Sequence, residues 1–132
     1  MIKEQKVVVV DVDGTLTVGE VDAGSYANAG ISVSMKGKLV HLQSEGYWII
    51  LFTSRNMRTH NGNIGAIIKH TAPTLINWLA HHEIPYDELH FGKPWCGHDG
   101  FYIDDRAVRP REFIENSLEQ LNLMIERDRL TS

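Results

Sequence analysis

Val7-Val8-Val9-Val10-Asp11-Val12-Asp13-Gly14-Thr15-Leu16 is the stretch on which the reading of this chain turns. Four successive β-branched residues without polar alternation are the pattern of a strand buried on both faces of a parallel sheet. Two carboxylates follow where that strand would end, and in an extended segment residues two apart point to the same side. Three later runs resemble the first: Tyr47-Trp48-Ile49-Ile50-Leu51-Phe52, the weaker Glu88-Leu89-His90-Phe91, and Phe101-Tyr102-Ile103.

Helical spacing fills the intervals. Met35, Leu39 and Leu42 recur at i, i+4, i+7, with Gly46 placed to end that helix. Ile64, Ile67 and Ile68 suggest a short helix, and Leu75, Ile76 and Leu79 another with Pro73 in its first turn. Ile114, Leu118, Leu121 and Ile125 form an apolar stripe at i, i+4, i+7, i+11 after Pro110, which predicts one continuous C-terminal helix. Residues 13–34 are rich in small and polar types and read as a loop or small flap beside the first strand. Strands alternating with helices imply βαβ crossovers, so the expected class is α/β: one domain over residues 1–132, with a central parallel sheet and helices on both faces.

The length of 132 residues matches one ordinary domain, and 42% hydrophobic with 23% charged residues is the composition of a soluble globular chain. Thirteen Lys and Arg against seventeen Asp and Glu leave a formal charge of -4, which argues against non-specific binding to nucleic acid or an anionic membrane. Cys96 is the single cysteine, so neither an intrachain disulfide nor a two-cysteine zinc knuckle is available. No signal segment or spanning run is visible, and a reducing cytoplasm is the expected location.

The polar residues that follow the four strand-like runs are Asp11 with Asp13, then Thr53, then Lys93, then Asp104 with Asp105. All would project from the carboxyl edge of the sheet, where open parallel sheets bind ligands. These residue types suit transfer of a phosphoryl group: one carboxylate attacks while the other moves the proton. Attack on a phosphate dianion by a carboxylate requires cations that offset the combined negative charge. Lys93 supplies one positive charge. Asp104 and Asp105, with an Asp11 oxygen and a backbone carbonyl, have the hard oxygen donors that suit Mg²⁺. Thr53 offers a hydroxyl and a backbone N–H to a phosphoryl oxygen.

Asp11-Val12-Asp13-Gly14-Thr15-Leu16 resembles the first motif of the haloacid dehalogenase superfamily of phosphotransferases. Phe52-Thr53 resembles its second motif, Gly92-Lys93-Pro94 its third and Ile103-Asp104-Asp105 its acidic fourth, in the family's order. A closer likeness runs through Arg55-Asn56-Met57-Arg58, Ile84-Pro85-Tyr86-Asp87-Glu88, Lys93-Pro94-Trp95-Cys96-Gly97-His98-Asp99-Gly100 and Phe101-Tyr102-Ile103-Asp104-Asp105-Arg106. It is similar to small phosphatases associated with bacterial capsular polysaccharide biosynthesis.

The resemblance implies a Rossmann-like domain without a cap and a Mg²⁺-dependent hydrolase acting on a small phosphomonoester, such as a sugar phosphate. Asp11 would form an aspartyl-phosphate, and Asp13 would protonate the leaving oxygen and then activate water. Thr53 and Lys93 would hold the phosphoryl group. Asp11, the Asp13 carbonyl and the pair Asp104/Asp105 would hold the metal, with either member of the pair as the direct ligand. Arg55, Trp95, His98 and Arg106 are candidates for substrate contact; Arg55 and Arg58 suit surface ion pairs equally well.

Two other functions share part of this pattern. A phospho-accepting receiver module combines an Asp, a Thr, a Lys and an acidic pair, but in a different order along the chain. A polynucleotide 3′-phosphatase has similar acidic motifs, and the net charge and lack of a basic stripe count against it. The intervals 17–34 and 54–91 are too short for an independent cap once helices are placed. A neighbouring protomer, or a large substrate itself, is therefore expected to close the cleft; the favoured arrangement is a homo-oligomer such as a tetramer, with Tyr26 and nearby flap residues close to the interface.

Overall fold

Strand β1 (Val7–Val10) ends at the carboxylates, as the sequence predicts, and is followed by a tight turn. The carbonyl of Val12 accepts from the backbone N–H groups of Thr15, Leu16 and Thr17, and the buried Thr17 hydroxyl accepts from Gly14 N–H at 2.9 Å. The structure, a computed structural model, describes residues 3–19 and 26–131. The chain folds into two compact units, Met1–Trp95 and Cys96–Ser132.

In the first unit, β2 (Thr17–Val18) and β3 (Gly30–Ile31) form a short antiparallel ribbon, joined through a 3₁₀ turn at Tyr26–Asn28. This is the expected flap; its residues 20–25 lie outside the described residues. Helix α1 (Val33–Ser44) starts where the Ser32 hydroxyl accepts from Met35 N–H at 3.2 Å, and it buries Met35, Leu39 and Leu42. Gly46, at φ +86°, turns the chain into β4 (Trp48–Thr53). Helix α2 (Ile64–His70) is capped by Asn63, and α3 (Ala72–His81) carries Pro73 in its first turn and buries Leu75, Trp78 and Leu79. Trp78 donates its indole N–H to the Ala29 carbonyl at 2.9 Å, tying α3 to the ribbon. Strand β5 (Glu88–Phe91) completes the sheet.

The sheet is parallel, in the order β1-β4-β5, with Val10 opposite Leu51 and Thr53 opposite Phe91. This is the expected α/β class. The burial differs from the expectation of a strand covered on both sides. One face carries Val10, Ile49, Leu51 and Thr53, all buried, whereas Ile50 and Phe52 on the other are only partly covered and Val9 beside Ile50 is 59% exposed. Apolar residues occupy both faces, but burial alternates.

The second unit corrects two further expectations. Phe101-Tyr102-Ile103 forms no strand; Phe101 is 77% exposed and Ile103 88%. The continuous C-terminal helix is two helices, α4 (Pro110–Glu115) and α5 (Leu118–Arg127). Asn116 is extended, and Ser117 starts a new helix by a reciprocal cap: its hydroxyl accepts from Gln120 N–H at 3.2 Å, while the Gln120 side chain accepts from Ser117 N–H at 2.8 Å. The apolar stripe runs across that break because periodicity does not register a cap.

Candidate active site

Parallel pairing of β1, β4 and β5 brings Asp11, Thr53 and Lys93 to one edge of the first unit. Lys93 donates from Nζ to Asp11 Oδ1 at 3.2 Å, across 82 positions of sequence. Its backbone N–H donates to the Thr53 carbonyl at 3.1 Å, which holds the chain in place after Gly92. Gly92 adopts φ +88°, and a Cβ there would lie 2.6 Å from Ile64 Cδ1, so glycine serves both conformation and space. Asp11 also accepts from the Thr15 hydroxyl through Oδ2 at 3.4 Å.

Asp13 is held differently. The guanidinium of Arg55 donates from Nε to Oδ2 at 3.1 Å and from Nη2 to Oδ1 at 2.6 Å, the planar two-point match that arginine makes with a carboxylate. The Arg55 side chain is completely buried, while that of Asp13 remains about a third exposed. The ring of Tyr26 lies 4.0 Å from the guanidinium carbon, capping the ion pair as a cation–π contact. Burial first, and then the Asp13 carboxylate, push the Tyr26 hydroxyl above its ordinary pKa. The Thr53 hydroxyl accepts from Arg55 N–H at 3.0 Å, so the turn after β4 fixes Arg55 from its backbone as well.

Among the predicted site residues, the first unit brings together Asp11, Asp13, Thr53, Lys93 and Arg55. Arg55, expected at the substrate, is buried against Asp13, and Tyr26, expected at an interface, covers it. The sequence holds a signal for the first pairing, since Thr53 and Arg55 stand two apart and share a side in extended backbone. Thr15, which lies within the first motif, joins this group through its hydroxyl on Asp11. Trp95 is exposed at the end of this unit.

His98, Asp104, Asp105 and Arg106 belong to the second unit and are exposed. Arg106 N–H donates to Asp104 Oδ1 at 2.9 Å, and this bond, followed by one from Asp105, holds the Asp104 carboxyl below its ordinary pKa. Among the described residues, no three His, Cys, Asp or Glu side chains are grouped to hold a metal ion. Asp11 and the Asp13 carbonyl offer the hard oxygens that Mg²⁺ takes, and the rest of its six-fold shell is ordinarily filled by water and substrate phosphate, so the first unit's acids are compatible with that ion.

The solved crystal structure of an MCSG target from Vibrio cholerae is 46% identical to this chain, covers 95% of it and 100% of its own length, and matches with a TM-score of 0.91. The chain belongs to that protein's family. No family model matches the sequence, and no curated protein does. The relative supports the α/β fold. No helix among the described residues is long and apolar enough to cross a membrane.

Proposed function

We propose that this protein is a phosphomonoester hydrolase of the haloacid dehalogenase type, working through a phosphorylated Asp11. The observation that carries the reading is that two adjacent carboxylates have two different cationic partners. Lys93 contacts Asp11 through one oxygen at 3.2 Å, while Arg55 holds both oxygens of Asp13. These different surroundings support a division of labour in which Asp11 attacks, with an ammonium beside the charge it would meet, and Asp13 handles a proton.

In the proposed first step an Asp11 oxygen forms a bond to phosphorus as the ester P–O bond breaks, and Asp13 gives its proton to the leaving alcohol. In the second, Asp13 takes a proton from water as the water oxygen attacks phosphorus, releasing phosphate and restoring Asp11. Each Asp13 oxygen accepts one hydrogen bond from Arg55 and keeps a second lone pair, which is where the proton would be carried. A bound Mg²⁺ would supply positive charge against the phosphoryl oxygens. The Thr53 hydroxyl, already accepting from Arg55 N–H, has its own proton left to donate. Substrates on this reading are small phosphomonoesters, with sugar phosphates and related polysaccharide precursors first, in the cytoplasm. Phosphate release from an aryl phosphate and a sugar-phosphate panel, with and without Mg²⁺, tests it. Turnover that chelation abolishes supports the reading; unchanged turnover in excess chelator overturns the metal dependence, and no turnover of any monoester overturns the activity.

A further inference from the structure

Arg55 brings a full positive charge into the first unit with its side chain completely buried, yet Asp13, its two-point partner, stays about a third exposed. A guanidinium in that position must be kept from shifting, because a small rotation would exchange the Asp13 oxygens for water. Hydrogen bonds tie down only the Nε and Nη2 side of the fork, since the buried Nη1 has no partner among the described residues. The other constraint is the Tyr26 ring, 4.0 Å from the guanidinium carbon, where an aromatic face attracts the cation and keeps water from it. That ring is itself anchored. Tyr26 opens the 3₁₀ turn Tyr26–Asn28, and its carbonyl accepts from Ala29 N–H at 3.2 Å. The Ala29 carbonyl accepts in turn from the indole N–H of Trp78 at 2.9 Å, and Trp78 is buried in α3. A continuous series of contacts within the first unit therefore runs from Trp78 through Ala29, Tyr26 and Arg55 to Asp13.

We propose that Tyr26 is a positioning residue for Asp13, acting through Arg55, and that the alignment it gives is directed at alkyl phosphomonoesters, whose leaving oxygen needs a proton. The choice of ester rests on the phosphatase reading; the support of Arg55 by Tyr26 does not. An alkoxide is a poor leaving group. As Asp11 bonds to phosphorus and the ester P–O bond breaks, the departing oxygen takes the Asp13 proton and leaves as the alcohol, so an Asp13 that swings away costs rate. A nitrophenolate leaves without that proton and is indifferent to where Asp13 points. Holding a carboxylate from behind, by a buried cation under an anchored aromatic ring, therefore serves an enzyme of alkyl esters and does little for one of activated aryl or acyl phosphates.

Two measurements test the halves separately. The NMR signal of Arg55 Nε–H, identified by its loss in Arg55→Lys, should exchange slowly with water in wild type and in Tyr26→Phe, and quickly in Tyr26→Ala. Slow exchange in Tyr26→Ala overturns the positioning role, and so does fast exchange in wild type. If Tyr26→Ala does not fold, Trp78→Phe replaces it in both measurements: it keeps an aromatic ring in the core, removes the N–H that holds the Ala29 carbonyl, and should speed the same exchange. For the chemistry, kcat/KM is compared on a sugar phosphate and on nitrophenyl phosphate, with Mg²⁺ present, because it reports the steps up to release of the alcohol or phenol. Tyr26→Ala should lower it by about 10- to 100-fold on the sugar phosphate, the scale of a misplaced catalytic group, and far less on the nitrophenyl ester. Tyr26→Phe should recover most of the difference. An equal fall on both esters, or none on either, overturns the alkyl-ester assignment. If wild type hydrolyses neither ester while the exchange results hold, the support of Arg55 by Tyr26 stands and the phosphatase reading fails.

Discussion

Arg55, with a completely buried side chain, holds both oxygens of Asp13, at 3.1 and 2.6 Å, while Asp13 itself stays partly open to solvent. The charge below fixes the direction of the carboxylate above. The buried Nη1 of Arg55 has no hydrogen-bond partner among the described residues, so the carboxylate is the main compensation for bringing this cation inside.

Replacing Arg55 by Ala should cost about 2–4 kcal/mol of stability, less than a fully buried pair would, because water reaches Asp13. Arg55→Lys keeps a charge but loses the two-point match, and should recover more stability than activity. Urea midpoints and phosphate release on both variants check this; equal activity in Arg55→Lys and wild type would remove the orienting role.

Asp11→Asn should eliminate turnover. Asp13→Asn should slow it by about 10²–10⁴-fold, the usual worth of a positioned proton-transfer group, and should accumulate covalent phosphate from an activated donor. Rapid-quench trapping reads the intermediate, and its absence in Asp13→Asn would show that the two roles have been misassigned.

Lys93→Ala should lose activity even at saturating Mg²⁺, since its ammonium touches Asp11, the carboxylate proposed as the nucleophile. Near-normal turnover in that variant would make Lys93 a bystander.

Gly92→Ala should destabilise by about 1–2 kcal/mol through its left-handed backbone, with an added clash against Ile64. Shortening the neighbour in Gly92→Ala/Ile64→Ala should relieve the clash and leave the backbone cost. Thermal melts of the two variants and of Ile64→Ala alone separate these parts. Because Lys93 is the next residue, Gly92→Ala should also lower activity.

Glu88 on β5 accepts from His90 on its own strand, at 2.8 Å, and from the Trp48 indole on β4. The His90 bond first, and then the Trp48 bond, hold its carboxyl below the ordinary 4.5. The folded state therefore binds this proton less readily than the unfolded chain does. The stabilisation should be fully present above about pH 4.5 and disappear as pH falls through the lower folded value. Urea midpoints of wild type and Glu88→Gln, compared from pH 7 downward, should converge in acid; a constant gap would show that the bonds do not depend on the charge.

Local information in the sequence determined a good deal. The β-branched run before Asp11, the apolar spacing of α1 and α3, and the order of Asp11, Thr53 and Lys93 after successive strands were all legible. Strand identity and chain order follow from neighbours a few residues apart, and a parallel sheet then brings its strand ends to one edge. Tertiary structure alone decided the rest. It gave Arg55 to Asp13 and laid Tyr26 over the pair, because a guanidinium takes whichever carboxylate the fold leaves within reach in a dry place. It divided the C-terminal stripe at Ser117, where a reciprocal cap outweighed apolar periodicity. Within the second unit it gave Phe101-Tyr102-Ile103 no strand although the composition is that of one, because a strand exists only where another backbone offers its hydrogen bonds, and composition states the need without naming the partner.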